Sequence, residues 1–194
     1  MKKQIFFEKK AVIFDLEITA WPGTSERNWS KPNEYKEIIQ IGAVAIETEG
    51  SMREIGSFHI LIRPIKNPQL SDYIIDLTGI TQDMIDREGV PFPKALSRFT
   101  KFIGEDPIHI FCNGDDSDVI AENCKIHGME IPTVFRQSSG LRLYFSETLG
   151  LPEKICNSAQ LPELCGLVNN EKAHNALGDA RSISQALRHL QRKD

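Results

Sequence analysis

The sequence predicts an α/β protein: one domain with a mixed β-sheet, antiparallel hairpin strands beside parallel strands, and helices on its faces. Three observations carry this reading. Strand-like segments come first as a block, and two of them are joined only by the charged turn ETEGSMR, which makes an antiparallel hairpin. Beyond residue 70, helical and strand-like segments alternate. Near the C-terminus a long segment carries apolar residues at helical spacing. A chain of 194 residues suits a single domain with a substantial core, here residues 1–194 with its body at about 10–190.

The elements follow in order. Ala11, Val12, Ile13 and Phe14 open a buried strand over 11–18. Residues 20–36 hold two prolines, a glycine and Ser/Asn punctuation, so they read as loop. EIIQIGAVAIET (37–48) and EIGSFHILIRPI (54–65) are the second and third strands. LSDYIIDLTGITQDMIDRE (70–88) gives one or two short helices around a TGIT turn at 78–81. In 92–105, Leu96, Phe99, Phe102 and Ile103 recur at helical spacing, an amphipathic helix. PIHIFC (107–112) is the fourth strand, and 113–128 is a turn opening a helix that ends near Gly128. Residues 141–149, LRLYFSETL, fit either period. A short helix covers 158–167 with Ser158 as its N-cap, and the last helix runs from about 174 to 191.

Composition narrows the function. The chain is 40% hydrophobic and 26% charged, with a net charge of −4, which argues against a protein that coats DNA. Cys112, Cys124, Cys156 and Cys165 form no CxxC pair, so they read as reduced core thiols rather than a zinc or disulfide framework. The start MKKQIFFEKK is broken by charge and is no signal peptide, and no apolar run is long enough for a bilayer. These features read as a soluble, cytoplasmic protein with no membrane partner.

The unusual feature is a core strand that ends in acids. Asp15 and Glu17 are two residues apart, so on a strand they point to the same face. Side-by-side carboxylates in apolar surroundings need neutralising, and a divalent cation does this well. Asp179 lies beside the apolar stripe Ala176, Ala180, Ile183, Leu187 and Leu190, so its carboxylate should face the sheet. His174 precedes that helix, and alone it could equally be a cap or a packed histidine. Asp115, Asp116 and Asp118 crowd the helix start after the fourth strand, where the dipole favours acids. If the first and fourth strands are neighbours, all three acidic placements meet at one pole, the outline of a two-metal site.

FDLEIT, the Asp-rich helix start and HNALGD together resemble the three motifs of the DEDDh 3′–5′ exonuclease superfamily, which has the RNase H-like fold. FHILIRPIKNPQLSDYIIDLTGIT resembles the ERI-like branch, which includes histone-mRNA exonucleases. The resemblance implies that Asp15, Glu17, Asp116 and Asp179 bind metal and that His174 is the general base. For the second-motif acid, Asp116 fits better than Asp118 because Val119 and Ile120 stand three and four residues after it, although no aromatic precedes either one. The backbone and side chains of Leu16 and Ile18 would touch the terminal nucleotide. Two Mg²⁺ ions per site, with Mn²⁺ as substitute, would serve hydrolysis at the 3′ end of a single strand, RNA on the ERI-like likeness, releasing nucleoside 5′-monophosphates. A DNA-directed exonuclease and an inactive nucleic-acid-binding module of the same fold are the competing readings. Trp21 and Trp29 could stack on bases or pack on their own domain, and Arg27, Lys31 and Lys36 could steer a phosphate backbone or form a solvated surface.

Overall fold

A computed structural model describes residues 8–104 and 108–192. The strands are β1 (Lys10–Ile18), β2 (Ile38–Glu47), β3 (Glu54–Arg63), β4 (Val90–Pro91), β5 (His109–Cys112) and β6 (Ser139–Gly140). The helices are α1 (Thr24–Arg27), α2 (Asp72–Thr78), α3 (Gln82–Glu88), α4 (Phe92–Ile103), α5 (Asp116–Ile126), α6 (Arg142–Leu149), α7 (Leu161–Leu164) and α8 (Ala176–Arg192). Among the described residues the strands form one sheet in the order β4-β3-β2-β1-β5-β6. β2 pairs antiparallel with both β1 and β3, while β5 lies parallel to β1 and β6 parallel to β5. The mixed sheet is therefore the expected one, and the fourth long strand does lie beside the first.

Several details differ from expectation. The 20–36 segment contains the single turn α1, too short for any periodic signal. Residues 142–149 are helical, although only Phe145 in that helix is fully buried. Ser158 does not cap a helix. It opens a 3₁₀ turn, Ser158–Gln160, that leads into α7, and its hydroxyl is used elsewhere. The opening residues MKKQIFF and the expected element ends at Glu105 and Pro107 lie outside the described residues. No helix among the described residues is long and apolar enough to cross a membrane.

Alternation along β1 divides the interior. Val12, Phe14 and Leu16 face one side and pack with Leu96, Phe99 and Ile103 of α4 and with Val119, Ile120 and Cys124 of α5. Ala11 and Ile13 face the other side and pack with Ala180, Ile183 and Leu187 of α8. A smaller cluster joins Ala20 and Ile39 to Ile74, Ile80 and Ile85. Capping fixes the two short helices: the Ser71 hydroxyl accepts from Ile74 N–H, and the Thr81 hydroxyl from Met84 N–H.

The first turn of α8 lies directly on β2 at Gly42. A β-carbon at Gly42 would stand 2.0 Å from the backbone nitrogen of Leu177 and 2.2 Å from the carbonyl carbon of Ala176. Only a residue without a side chain lets the helix come this close. Gly42 is also the cross-strand partner of Asp15, so this seat fixes α8 against the acidic end of β1. Gly42→Ala should cost about 3 kcal/mol, at the upper end of overpacking effects, because backbone rather than a flexible side chain must move. The denaturant midpoint checks this, and a wild-type midpoint would mean that α8 is not seated there.

Candidate metal centre

Strand period and helix seat together build the site. Asp15 and Glu17 share the face of β1 that looks toward α8, and Asp179 comes down onto them from the first turn of α8. Each of the three offers a carboxylate oxygen, and these oxygens lie within 4.8 Å of one another. All three side chains are buried: Asp15 is 8%, Glu17 7% and Asp179 5% exposed. Asp116 opens α5, immediately after β5, and is half-buried, whereas Asp118 on the same turn is exposed. Asp116 acts electrostatically on Asp15, Glu17 and Asp179, so it belongs to the same pole.

Desolvation is the first cause of every shift here. Burial pushes the Asp15 carboxyl well above its usual range, and repulsion from Asp116, Asp179 and Glu17 adds to it. Burial, then Asp179 and Asp116, push Glu17 up to about 8. Burial raises Asp179 to about 7, opposed by a hydrogen bond from the His174 backbone N–H. Asp116 is raised only to about 6: backbone N–H groups at the start of α5 and the Arg142 guanidinium oppose its burial.

The donor set fits a divalent cation. Among the described residues three carboxylates converge, and Asp179 Oδ1 is buried without a hydrogen-bond partner. An unpaired, buried carboxylate oxygen is costly unless an ion takes it up. An all-oxygen donor set suits hard cations.

His174 lies in the turn before α8, exposed, with a left-handed φ of 55°. Next to it, Asn175 caps the helix, its Oδ1 accepting from Gly178 N–H at 3.1 Å. The structure thus brings His174 to the edge of the acidic pole rather than into a core. Leu16 is buried in the opposite face with α4 and α5, so only its backbone runs past the acids. Ile18 is half-buried at the strand end, where the β1–β2 register shifts. Trp29 donates its indole N–H to Thr19 O at 2.8 Å, and Lys36 lies over its ring at 5.0 Å. Trp21 is half-buried in the same loop. Arg27 is paired with Glu34, while Lys31 is exposed.

Two contacts were not expected from sequence. The Ser158 hydroxyl donates to Asp15 Oδ1 at 3.0 Å, from 143 positions away along the chain. Gln40, the cross-strand partner of Glu17, is buried and bonds the first turn of α8. The polar residue in EIIQIGAV was a readable signal for a buried polar role.

Comparison with known proteins agrees with this geometry. The sequence model of the exonuclease family RNase_T matches residues 12–187. The chain belongs to this family. The rat 3′–5′ exoribonuclease 1 is 26% identical over 189 residues, covering 92% of this chain and 52% of the relative. The chain thus spans about half the length of the curated relatives it matches first. Among solved structures, the nuclease domain of 3′hExo, a DEDDh family member bound to rAMP, superposes with a TM-score of 0.82 at 24% identity, covering 95% of this chain and 92% of that one. A 3′-exonuclease in a structure of 3′-end-specific recognition of a histone mRNA stem-loop gives the same TM-score of 0.82 at 24% identity, over 96% and 65%. These likenesses show the RNase H-like fold.

The raised acids set a pH signature for the metal-free protein. A carboxyl whose pKa is higher folded than unfolded stabilises the fold below its ordinary pKa and loses that contribution as pH rises through the folded value. The ordinary values are 3.8 and 4.5, and the folded ones about 7 for Asp179 and about 8 for Glu17. The denaturation midpoint without metal should therefore fall as pH rises from about 4 to about 8. Divalent cation should raise the midpoint most at the upper end. Asp179→Asn should raise metal-free stability there and abolish most of the response to metal. A flat metal-free profile would remove the electrostatic account.

Proposed function

We propose that the chain is a 3′–5′ exonuclease domain that hydrolyses the terminal phosphodiester of single-stranded RNA and releases nucleoside 5′-monophosphates. The observation that carries this reading is the convergence of Asp15, Glu17 and Asp179 oxygens within 4.8 Å, with Asp179 Oδ1 buried and unpartnered. Membership of the exonuclease family supports the reaction class. The relatives' names, an exoribonuclease and a 3′-exonuclease on histone mRNA, support RNA over DNA.

Asp15, Glu17 and Asp179 would hold Mg²⁺, two ions in all, with Asp116 contributing from the start of α5 and Mn²⁺ acceptable in the same oxygen set. When bound, the ions supply Lewis acidity and positive charge at the scissile phosphate. The protein's own residues do the rest. Asp15 is held by Ser158, and Asp179 by the His174 backbone, so the carboxylates are set before substrate arrives. His174 takes the proton of the attacking water on a ring nitrogen as the water oxygen bonds to phosphorus and the bond to the 3′ oxygen of the preceding nucleotide breaks, that oxygen gaining a proton from solvent to become the new 3′-hydroxyl. The Leu16 backbone and Ile18, beside the acids on β1, line the place of the terminal nucleotide.

The test is a gel assay on 5′-labelled RNA and DNA of one sequence, with Mg²⁺, Mn²⁺ or EDTA. The expected result is a one-nucleotide ladder from the 3′ end of RNA that requires metal and is lost in Asp15→Ala. An equal ladder on DNA would overturn the RNA preference, and no ladder on either strand would overturn the activity. His174→Ala should keep metal and RNA binding and lose turnover by about 10²–10⁴-fold, the range for a general base. Wild-type turnover in that variant would remove His174 from the role.

A further inference from the structure

We infer that Gln40 is a positioning residue for His174, acting through the first turn of α8. The inference rests on the role proposed above for His174. Gln40 is 2% exposed in β2, yet both ends of its amide are used. Its Oε1 accepts from the Ala176 N–H at 2.8 Å, and its Nε2 lies 2.8 Å from His59 Nε2. The Ala176 N–H can only donate, so the amide oxygen must face α8 and the amide N–H must face His59. His59 Nε2 is then the acceptor, and the ring is a neutral imidazole with its proton on Nδ1.

The bond holds a particular hinge. Ala176 is the first residue of α8, and its N–H has no partner within the helix. The helix body after it is fixed independently, by burial of Ala180, Ile183 and Leu187, whereas the seat on Gly42 lies against Ala176 and Leu177 themselves. Asp179 belongs to that body. His174 does not: it precedes the helix, is exposed, and stands in a left-handed conformation. On its other side, Lys172 Nζ donates to Thr78 O at 3.1 Å, at the C-terminus of α2. The segment carrying His174 is therefore held at Lys172, at the His174 backbone N–H, which Asp179 accepts, and at Ala176, where Gln40 is the side chain that ties it to the sheet. This gives the polar interruption in EIIQIGAV its function: Gln40 and Gly42, opposite Glu17 and Asp15, are the two positions of β2 that meet the start of α8.

The experiment compares Gln40→Met, which keeps size and loses both bonds, with Gln40→Glu, which keeps an acceptor for Ala176. In Gln40→Met, kcat on 5′-labelled RNA should fall about 100-fold, the scale of an ångström-sized misplacement. KM and Mn²⁺ affinity should stay within about threefold, because Asp179 is held by the helix body. Gln40→Glu should recover most of the kcat. In the metal-free proteins, amide hydrogen exchange at Ala176 should be at least about tenfold faster in Gln40→Met, with Ala180 and Ile183 unchanged. If Gln40→Met does not fold, Gln40→Thr removes the same bonds with a strand-forming residue. Unchanged exchange at Ala176 with unchanged kcat would overturn the inference. So would equal losses in kcat and Mn²⁺ affinity without rescue by Glu, which would mark a purely structural residue. A wild-type protein without nuclease activity would sink the proposed function but leave the exchange result to judge the anchor.

Discussion

Everything at the acidic pole depends on mutual repulsion that the fold does not cancel. Four carboxyl groups are brought together, and burial raises each before any neighbour is counted. The protein supplies partial relief: one serine hydroxyl for Asp15, one backbone N–H for Asp179, and backbone N–H groups with the Arg142 guanidinium for Asp116. A site built for stability would place a cation beside Asp15, Glu17 and Asp179 as well. Leaving that to a bound ion makes the pole an unstable element of the metal-free fold and a strong ligand set at once.

Holding such a pole needs rigid supports on both sides of the sheet. β1 supplies them through its alternation, with Phe14 and Leu16 locked among the aromatic and aliphatic side chains of α4 and α5, and Ala11 and Ile13 under α8. Phe14 meets Phe99 edge-on, with ring centroids 5.6 Å apart, which adds a directional contact to the packing. The acids follow directly on this double-sided core, so their backbone cannot relax away from one another. Repulsion that cannot relax is what keeps the carboxylates pre-organised.

Much of this was legible in sequence because it is periodic. The two-residue spacing of Asp15 and Glu17 places them on one face, and the 3.6-residue repeat around Asp179 turns it toward the sheet. That β5 is the neighbour of β1 was only a condition in that reading, since pairing between strands nearly a hundred residues apart leaves no local mark. The spacing of Val119 and Ile120 favours Asp116 over Asp118, and the structure gives the physical difference: Asp116 is half-buried at the pole, and Asp118 is exposed. Ser158 shows the opposite failure. A serine before a helical pattern looks like a cap, but the distant Asp15 carboxylate takes its hydroxyl. The short α1, β4 and β6 carry too few residues for any period to show.

The contrast between His174 and the acids completes the picture. In the proposed reaction His174 would exchange protons with water and must reach solvent, while the acids that would hold an ion gain from exclusion of it. The chain meets both demands within six residues by changing backbone conformation at His174. A non-glycine residue with φ of 55° costs about 1–2 kcal/mol, and such strain persists only where the surroundings fix it. Here the surroundings are the Asp179 carboxyl receiving the His174 N–H and the Asn175 cap that starts the helix. The backbone of one residue thus serves the buried carboxylate while its ring stays in solvent, and this division of roles accounts for a strained histidine at the mouth of a well-capped helix.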